Sequence, residues 1–302
     1  MRVLLTGGSG LVGSSLAPAL VASGHEVVRL ARPSTPATGR ESLAIWNPES
    51  GQIDLSRAGC LDAVVHLAGE TIAQRWTPEV KRRIRDSRVG GTRLLCEALA
   101  KLPTRPKVLV CASATGFYGD HGDEWLDEQG DAGKDFLAEV CRQWEAACAS
   151  AAGQGIRVVH LRIGIVLTPK GGALAKMLPV FRLGLGGRLG DGRAYWSWIT
   201  LDDLLEVIQH ALVSEALCGA VNAVSPHPVT NAEFTKTLGG VLRRPAILPV
   251  PRFAVELLFG EMGREAMLAG FRVKPAKLIE SKFKFRYPEL APALRHLVGG
   301  AG

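Results

Sequence analysis

The chain has 302 residues, of which 47% are hydrophobic and 22% charged, and its formal net charge is +7. This is the composition of a globular protein long enough for one large core, or for a domain with a smaller lobe. No apolar stretch approaches the roughly 20 residues that span a bilayer, so a helical membrane protein is excluded and no membrane partner is expected.

The predicted elements begin with a strand at Val3–Thr6 and a helix over Leu11–Ser23, closed by Gly24. Strands follow at Glu26–Ala31 and Ser42–Trp46, the second ending in a turn at Asn47-Pro48. Ala63–Leu67 reads as a buried strand, and a long helix runs from about Pro78 to Ala100. A strand at Val108–Ser113, a helix at Phe136–Ala152 and a strand at Arg157–Ile163 continue the alternation. Continuous apolar strands alternating with helices predict an α/β fold, a doubly wound parallel sheet of Rossmann type covered on both faces. After Val166 the texture changes to a loop-rich stretch punctuated by Gly171, Gly172, Gly184, Gly186, Gly187, Gly190 and Gly192. A helix at Leu201–Val213 and a strand at Ala220–Ala223 follow, and from Pro226 onward short helical segments stand among rising Pro and basic residues. The expected division is a dinucleotide-binding domain over 1–166 plus about 201–223, and a smaller substrate lobe over about 167–200 and 224–302.

The opening strand breaks into Thr6-Gly7-Gly8-Ser9-Gly10-Leu11-Val12-Gly13 and then into a helix. That arrangement turns backbone amides and a helix N-terminus toward a pyrophosphate. Gly7 allows the tight turn, Gly10 lets the backbone approach phosphate, and Gly13 lets the helix pack on the sheet. Gly8, Ser9, Leu11 and Val12 complete the cradle. The second strand ends at Ala31-Arg32, nineteen positions past Gly13, where an NAD site would place an acid for the ribose 2′-hydroxyl. A guanidinium there binds a 2′-phosphate that a carboxylate would repel, which favours NADP(H) as cofactor; the alternative is a solvated strand-end arginine.

The apolar opening segment runs straight into the glycine turn and does not read as a secretory leader. The six cysteines form no Cys-x-x-Cys pair and several lie in apolar runs, so they read as reduced core thiols of a cytoplasmic protein; no metal ligands are expected. Lys81, Arg82, Arg83, Arg85 and Arg88 form one basic cluster. A solvated helix face accounts for most of it, and without interleaved aromatics or a motif no nucleic-acid partner is expected.

With His66-Leu67-Ala68-Gly69, Gly91-Thr92, Tyr118-Gly119 and the helix start at Asp202-Asp203 added, the chain resembles the extended short-chain dehydrogenase/reductases, the group that contains the nucleotide-sugar epimerases. It resembles most an atypical branch of epimerase-like NADP-binding proteins. The marks are Leu67-Ala68-Gly69-Glu70, Trp144-Glu145, Phe181 to Gly187, Ser197-Trp198-Ile199 and Thr230 to Phe234, with a small C-terminal domain of unknown function over about Leu248 to Leu294. The resemblance implies that Leu67, Ala68 and Gly69 lie beside the pyrophosphate and ribose. It puts Arg88 where the family often has an Asn facing the cofactor, and Val166 near the nicotinamide or in the core. It implies hydride exchange at a carbonyl or carbinol carbon of a sugar-like or nucleotide-linked small molecule, and it allows a homodimer.

The departure concerns proton transfer. These reductases use a Tyr with a Lys four residues later on one helix face, the cation lowering the phenol's pKa from about 10. Here no tyrosine has that partner, and the helix Phe136 to Glu145 holds neither residue. The replacements are Ser113 and Thr115, which end the fifth expected parallel strand where the family places a hydroxyl for the substrate carbonyl, and Tyr118, with Arg162 or His121 as its cation. Each has a bland alternative, a strand-end cap for the hydroxyls and a pocket wall for the tyrosine. Glu70 is a further carboxylate at the cofactor loop. The rival functional reading is a non-catalytic NADP(H) sensor or partner-binding module. Replacing Arg32 with Asp is expected to weaken NADPH binding far more than NADH binding, as read by calorimetry; equal losses would remove Arg32 from this role.

Overall fold

The computed structural model describes residues 1–31 and 42–299, and Arg32 lies outside them. An eight-stranded sheet forms the centre. Its first six strands in chain order are β1 (Arg2–Thr6), β2 (Glu26–Ala31), β3 (Ser42–Asn47), β4 (Gln52–Asp54), β5 (Ala63–His66) and β6 (Val108–Ala114), and Arg157–Ile163 and Gly219–Ala223 complete it. From one edge the order is Gly219–Ala223, Arg157–Ile163, β6, β5, β1, β2, β3, β4, and every neighbour is parallel except β4 on β3. The chain leaves β1 toward β2 and returns on the other side at β5. The connections that leave the carboxyl ends of β1 and β5 therefore run to opposite sides of the sheet, which is where open α/β sheets bind ligands.

Alternation along β1 shows why the sheet is covered twice. Val3 and Leu5 enter a core with Leu16 and Leu20 of helix α1 (Gly13–Ala22) and with Leu204 and Ile208 of the helix Leu201–Val213. Leu4 enters the opposite core, with Leu95 and Leu99 of α2 (Pro78–Ala100) and Trp144 of α3 (Phe136–Ala146). The expected single helix over 136–152 is two pieces, because a break at Ala147-Cys148 separates α3 from the short helix Ala149–Ala152. The stretch expected as loop-rich contains a regular helix, Gly172–Arg182. Its neighbouring glycines punctuate the ends of that helix rather than its interior. It shares a third core around Trp196 and Trp198 with the helices Asn231–Leu242 and Leu290–Gly299. Among the described residues no helix is long and apolar enough to cross a membrane.

Two buried polar groups hold these parts in place. His66 ends β5 with both ring nitrogens engaged, Nδ1 with Thr6 Oγ1 at 2.7 Å and Nε2 with Thr92 Oγ1 at 2.9 Å. Thr6 Oγ1 already accepts the amides of Leu67 (3.1 Å) and Ala68 (3.2 Å), so its own proton goes to Nδ1. The ring is therefore the neutral Nε2–H tautomer, donating to Thr92, which also accepts Trp144 Nε1 at 2.8 Å. Asp203 is the second group. Its carboxylate accepts the backbone amides of Arg286 (2.7 Å) and Tyr287 (3.0 Å), and it is almost wholly buried. It thereby ties residues near the C-terminus to the start of the helix Leu201–Val213.

Burial holds the His66 pKa down to about 4 from 6.5. The unfolded chain thus binds a proton between these values that the folded one refuses, and stability falls as pH drops through that window. The loss from this group amounts to about 3 kcal/mol at 1.36 kcal/mol per unit. Urea denaturation at pH 4.5 and pH 7 should show it, and His66→Asn, with nothing to titrate, should flatten that dependence. An unchanged slope in the variant would refute it. Asp203→Ala leaves two backbone amides without their acceptor and is expected to cost about 3 kcal/mol in the same measurement, with Asp203→Asn costing less.

Candidate functional site

At the carboxyl ends of β1 and β5 the glycine turn is sterically compelled. Gly7 has φ +68°, and a Cβ there would stand 2.7 Å from the Leu67 carbonyl carbon. A Cβ on Gly13 would stand 2.2 Å from the Gly7 carbonyl oxygen, so α1 can start under the turn only with glycine at that position. The Gly10 amide donates to Gly7 O at 2.9 Å and closes the loop. Helix α1 starts without a side-chain cap and without an acid in its first turn, whereas α2 and α3 are capped by Thr77 and Asp135. An anion at the α1 terminus would meet its first-turn amides and the positive end of its dipole.

The turn opens on a cleft of about 930 Å³. One wall holds Gly7, Gly8, Ser9, Gly10, Leu30 and Ala31, and the other Leu67, Ala68, Gly69 and Glu70. Eight of the residues expected to hold a cofactor thus line one space. Leu11, Val12, Gly13, Arg88 and Val166 stand outside that lining. Leu11 packs on Gly171 and Gly172, and Val12 and Val166 pack on the core shared with α1. The Arg88 guanidinium lies behind Gly69, where an added Cβ would be 3.2 Å from its Cζ; it donates to Ile84 O at 3.1 Å and faces the Trp144 ring at 5.1 Å. Burial lowers its pKa, and Cys141 and Glu70 act against that.

The cleft also has walls that sequence reasoning missed. Arg29, Trp46, Pro48 and Glu49 come from β2 and from the end of β3, and Arg83, Asp86, Ser87 and Gly90 from one face of α2. Helical spacing of 83, 87 and 90 was a readable signal for the second group. Trp46 and Pro48 carried none, because their place depends on β3 standing beside β2.

The three hydroxyls expected to do chemistry lie at the end of β6, all buried. Ser113 Oγ donates to Glu145 Oε1 at 2.7 Å. Arg162 grips the same carboxylate with Nε at 2.9 Å and Nη2 at 3.0 Å, and lies over the Phe117 ring at 3.4 Å. Its Nη1 donates to the Tyr118 hydroxyl at 3.1 Å, and that hydroxyl donates to Asn222 Oδ1 at 2.7 Å. Burial pushes the Tyr118 pKa up to about 12, although Arg162 pulls the other way. Burial works against the Arg162 charge too, and the Glu145 pair more than offsets it, so that its pKa is raised. Thr115 opens the 3-10 turn Thr115–Phe117, and its carbonyl accepts the Tyr118 amide at 3.1 Å. The face of α3 beneath this strand end presents Leu137, against Gly116, then the buried Cys141, then Glu145. These are spaced four residues apart, the spacing of the Tyr and Lys that the sequence lacks.

Residues 3–222 match the model of the NAD dependent epimerase/dehydratase family, and residues 250–297 match a domain of unknown function, DUF1731. An epimerase family protein of Mycobacterium bovis is 44% identical over 97% of this chain and 96% of its own. The crystal structure of human epimerase family protein SDR39U1 (isoform 2) with NADPH is 35% identical, with a TM-score of 0.90 over 99% of each chain. A nucleoside-diphosphate sugar epimerase from Corynebacterium glutamicum is 38% identical, with a TM-score of 0.80 over 99% of this chain and 58% of that one. The glycine turn, the opposed connections after β1 and β5 and this end-to-end likeness agree: the chain belongs to the NAD dependent epimerase/dehydratase family.

Proposed function

We propose that the cleft binds NADP(H) and that the chain exchanges hydride between that cofactor and a carbonyl or carbinol carbon of a sugar-like or nucleotide-linked small molecule, in a cytoplasmic setting. The observation that carries the reading is the glycine turn Gly7–Gly10, which leads into the uncapped start of α1 and lines one cleft with the Leu67–Gly69 loop. The NADPH in the human relative supports it. In this reading the α1 amides hold the pyrophosphate, Arg32 meets the 2′-phosphate, and Ala68 and Gly69 border the ribose. Arg88 sets the shape of the loop from behind. The residues beyond Val166, apart from 201–223, form the substrate lobe.

The bound nicotinamide supplies hydride transfer, and the residues of this chain orient the other reactant. Ser113 and Thr115 stand where the substrate carbonyl is held, and Ser113 must turn its proton from Glu145 to the substrate to do so. Tyr118, with its pKa near 12 and its proton given to Asn222, fits a positioning role for Arg162 better than proton donation near neutrality. A second reading, a non-catalytic NADP(H) sensor, draws support from the same geometry. Leu137 and Cys141 occupy the helix face from which the family's proton-transfer pair would act, and the hydroxyls of Ser113 and Tyr118 are both engaged.

Purified protein with NADPH, mixed with aldehydes, ketones and nucleotide sugars, should consume the reduced nicotinamide's absorbance above the buffer rate. Ser113→Ala should cut that rate by about 100- to 1,000-fold, the range that removal of one positioned hydrogen-bond donor costs. Tight NADPH binding with no consumption would establish the sensor instead, and absence of nucleotide binding by calorimetry would sink both.

A further inference from the structure

The break after α3, three residues past Glu145, carries a second constellation. Cys111 of β6 and His160 of the neighbouring strand are register partners on one face of the sheet. Cys148, at the break after α3, covers them. The two sulfurs and one ring nitrogen of His160 all lie within 4.8 Å of one another. Cys96 of α2 belongs to the same buried core. All three cysteines are buried, and the buried Nδ1 of His160 has no hydrogen-bond partner. An orphaned buried nitrogen beside two sulfurs is costly if the cluster is only packing, since S–H is a weak donor.

We propose that Cys111, Cys148 and His160 form a binding site for one thiophilic d¹⁰ cation, Zn²⁺ or Cu⁺. Two sulfurs with an imidazole is a soft donor set that hard cations such as Mg²⁺ and Ca²⁺ do not prefer. Zn–S bonds of about 2.3 Å place tetrahedral sulfurs about 3.8 Å apart, so the cluster need tighten by no more than about 1 Å. Binding releases the thiol protons to solvent and leaves the ion on thiolates. A hollow of about 310 Å³ lies nearby between α2 and the α3 break, with Ala147 and Ala149, the sequence neighbours of Cys148, in its lining. The ion would clamp β6, the strand Arg157–Ile163 and the break after α3 together, three residues beyond Glu145. Sequence spacing shows none of this, because the three ligands come from three different elements.

The test uses the full chain, reduced and stripped with a chelator, then titrated with Zn²⁺ and separately with Cd²⁺. One equivalent should bind, with a sulfur-to-cadmium charge-transfer band in the ultraviolet and a higher Tm. Replacing both exposed cysteines, Cys60→Ser with Cys218→Ser, should leave stoichiometry and band intact. Cys111→Ser or Cys148→Ser, in variants that keep the wild-type circular dichroism and NADPH binding, should abolish both. Failure of the reduced chain to bind stoichiometrically, or loss of binding in the Cys60/Cys218 variant, would overturn the proposal while leaving the cofactor reading untouched.

Discussion

The hydrogen-bond chain from Thr6 through His66 to Thr92 and Trp144 is the constraint on which the cofactor-side geometry depends. It joins the carboxyl ends of β1 and β5 and reaches through the sheet edge to α2 and α3. Because Thr6 also receives the amides of Leu67 and Ala68, the same oxygen that fixes the imidazole fixes the loop opposite the glycine turn. That loop in turn crowds Gly7 so closely that no side chain fits there. One buried neutral histidine thereby sets the separation of the two cleft walls, and its neutrality follows from its burial.

At the end of β6 a buried ion pair performs the corresponding task for the other half of the site. Arg162 and Glu145 are nearly removed from water, and a pair in that position is worth keeping only if its remaining hydrogen-bonding capacity is used. Here it is used: Ser113, Tyr118 and the Glu128 carbonyl take it up, and the Phe117 ring covers the guanidinium. The hydroxyls of Ser113 and Tyr118 are thereby committed to partners within the protein.

Much of the fold was legible because local patterns and the global arrangement agree. The apolar runs at Val3–Thr6, Glu26–Ala31 and Arg157–Ile163 can be stable only as strands covered on both faces, and the glycine spacing can be satisfied only by a strand–turn–helix. Where the texture was irregular, legibility failed. The helix Gly172–Arg182 lies among glycines that cap and flank it, and Pro179 stands within it, so its composition reads as loop although its apolar residues face a core. The break at Ala147-Cys148 has no breaker residue to announce it.

The sequence by itself determined the class of ligand, because a strand, glycine turn and helix is a local object made by consecutive residues. It also shows that no tyrosine has a lysine four residues later. Tertiary structure alone decided the tautomer of His66, the capture of Tyr118 by Arg162 and Asn222, and the meeting of Cys111, Cys148 and His160. Each joins residues between 12 and 104 positions apart in the chain, as in Cys148 with His160 and Tyr118 with Asn222. No spacing rule reaches such pairs; they exist only once parallel strands and the helices across them have set which side chains share a face.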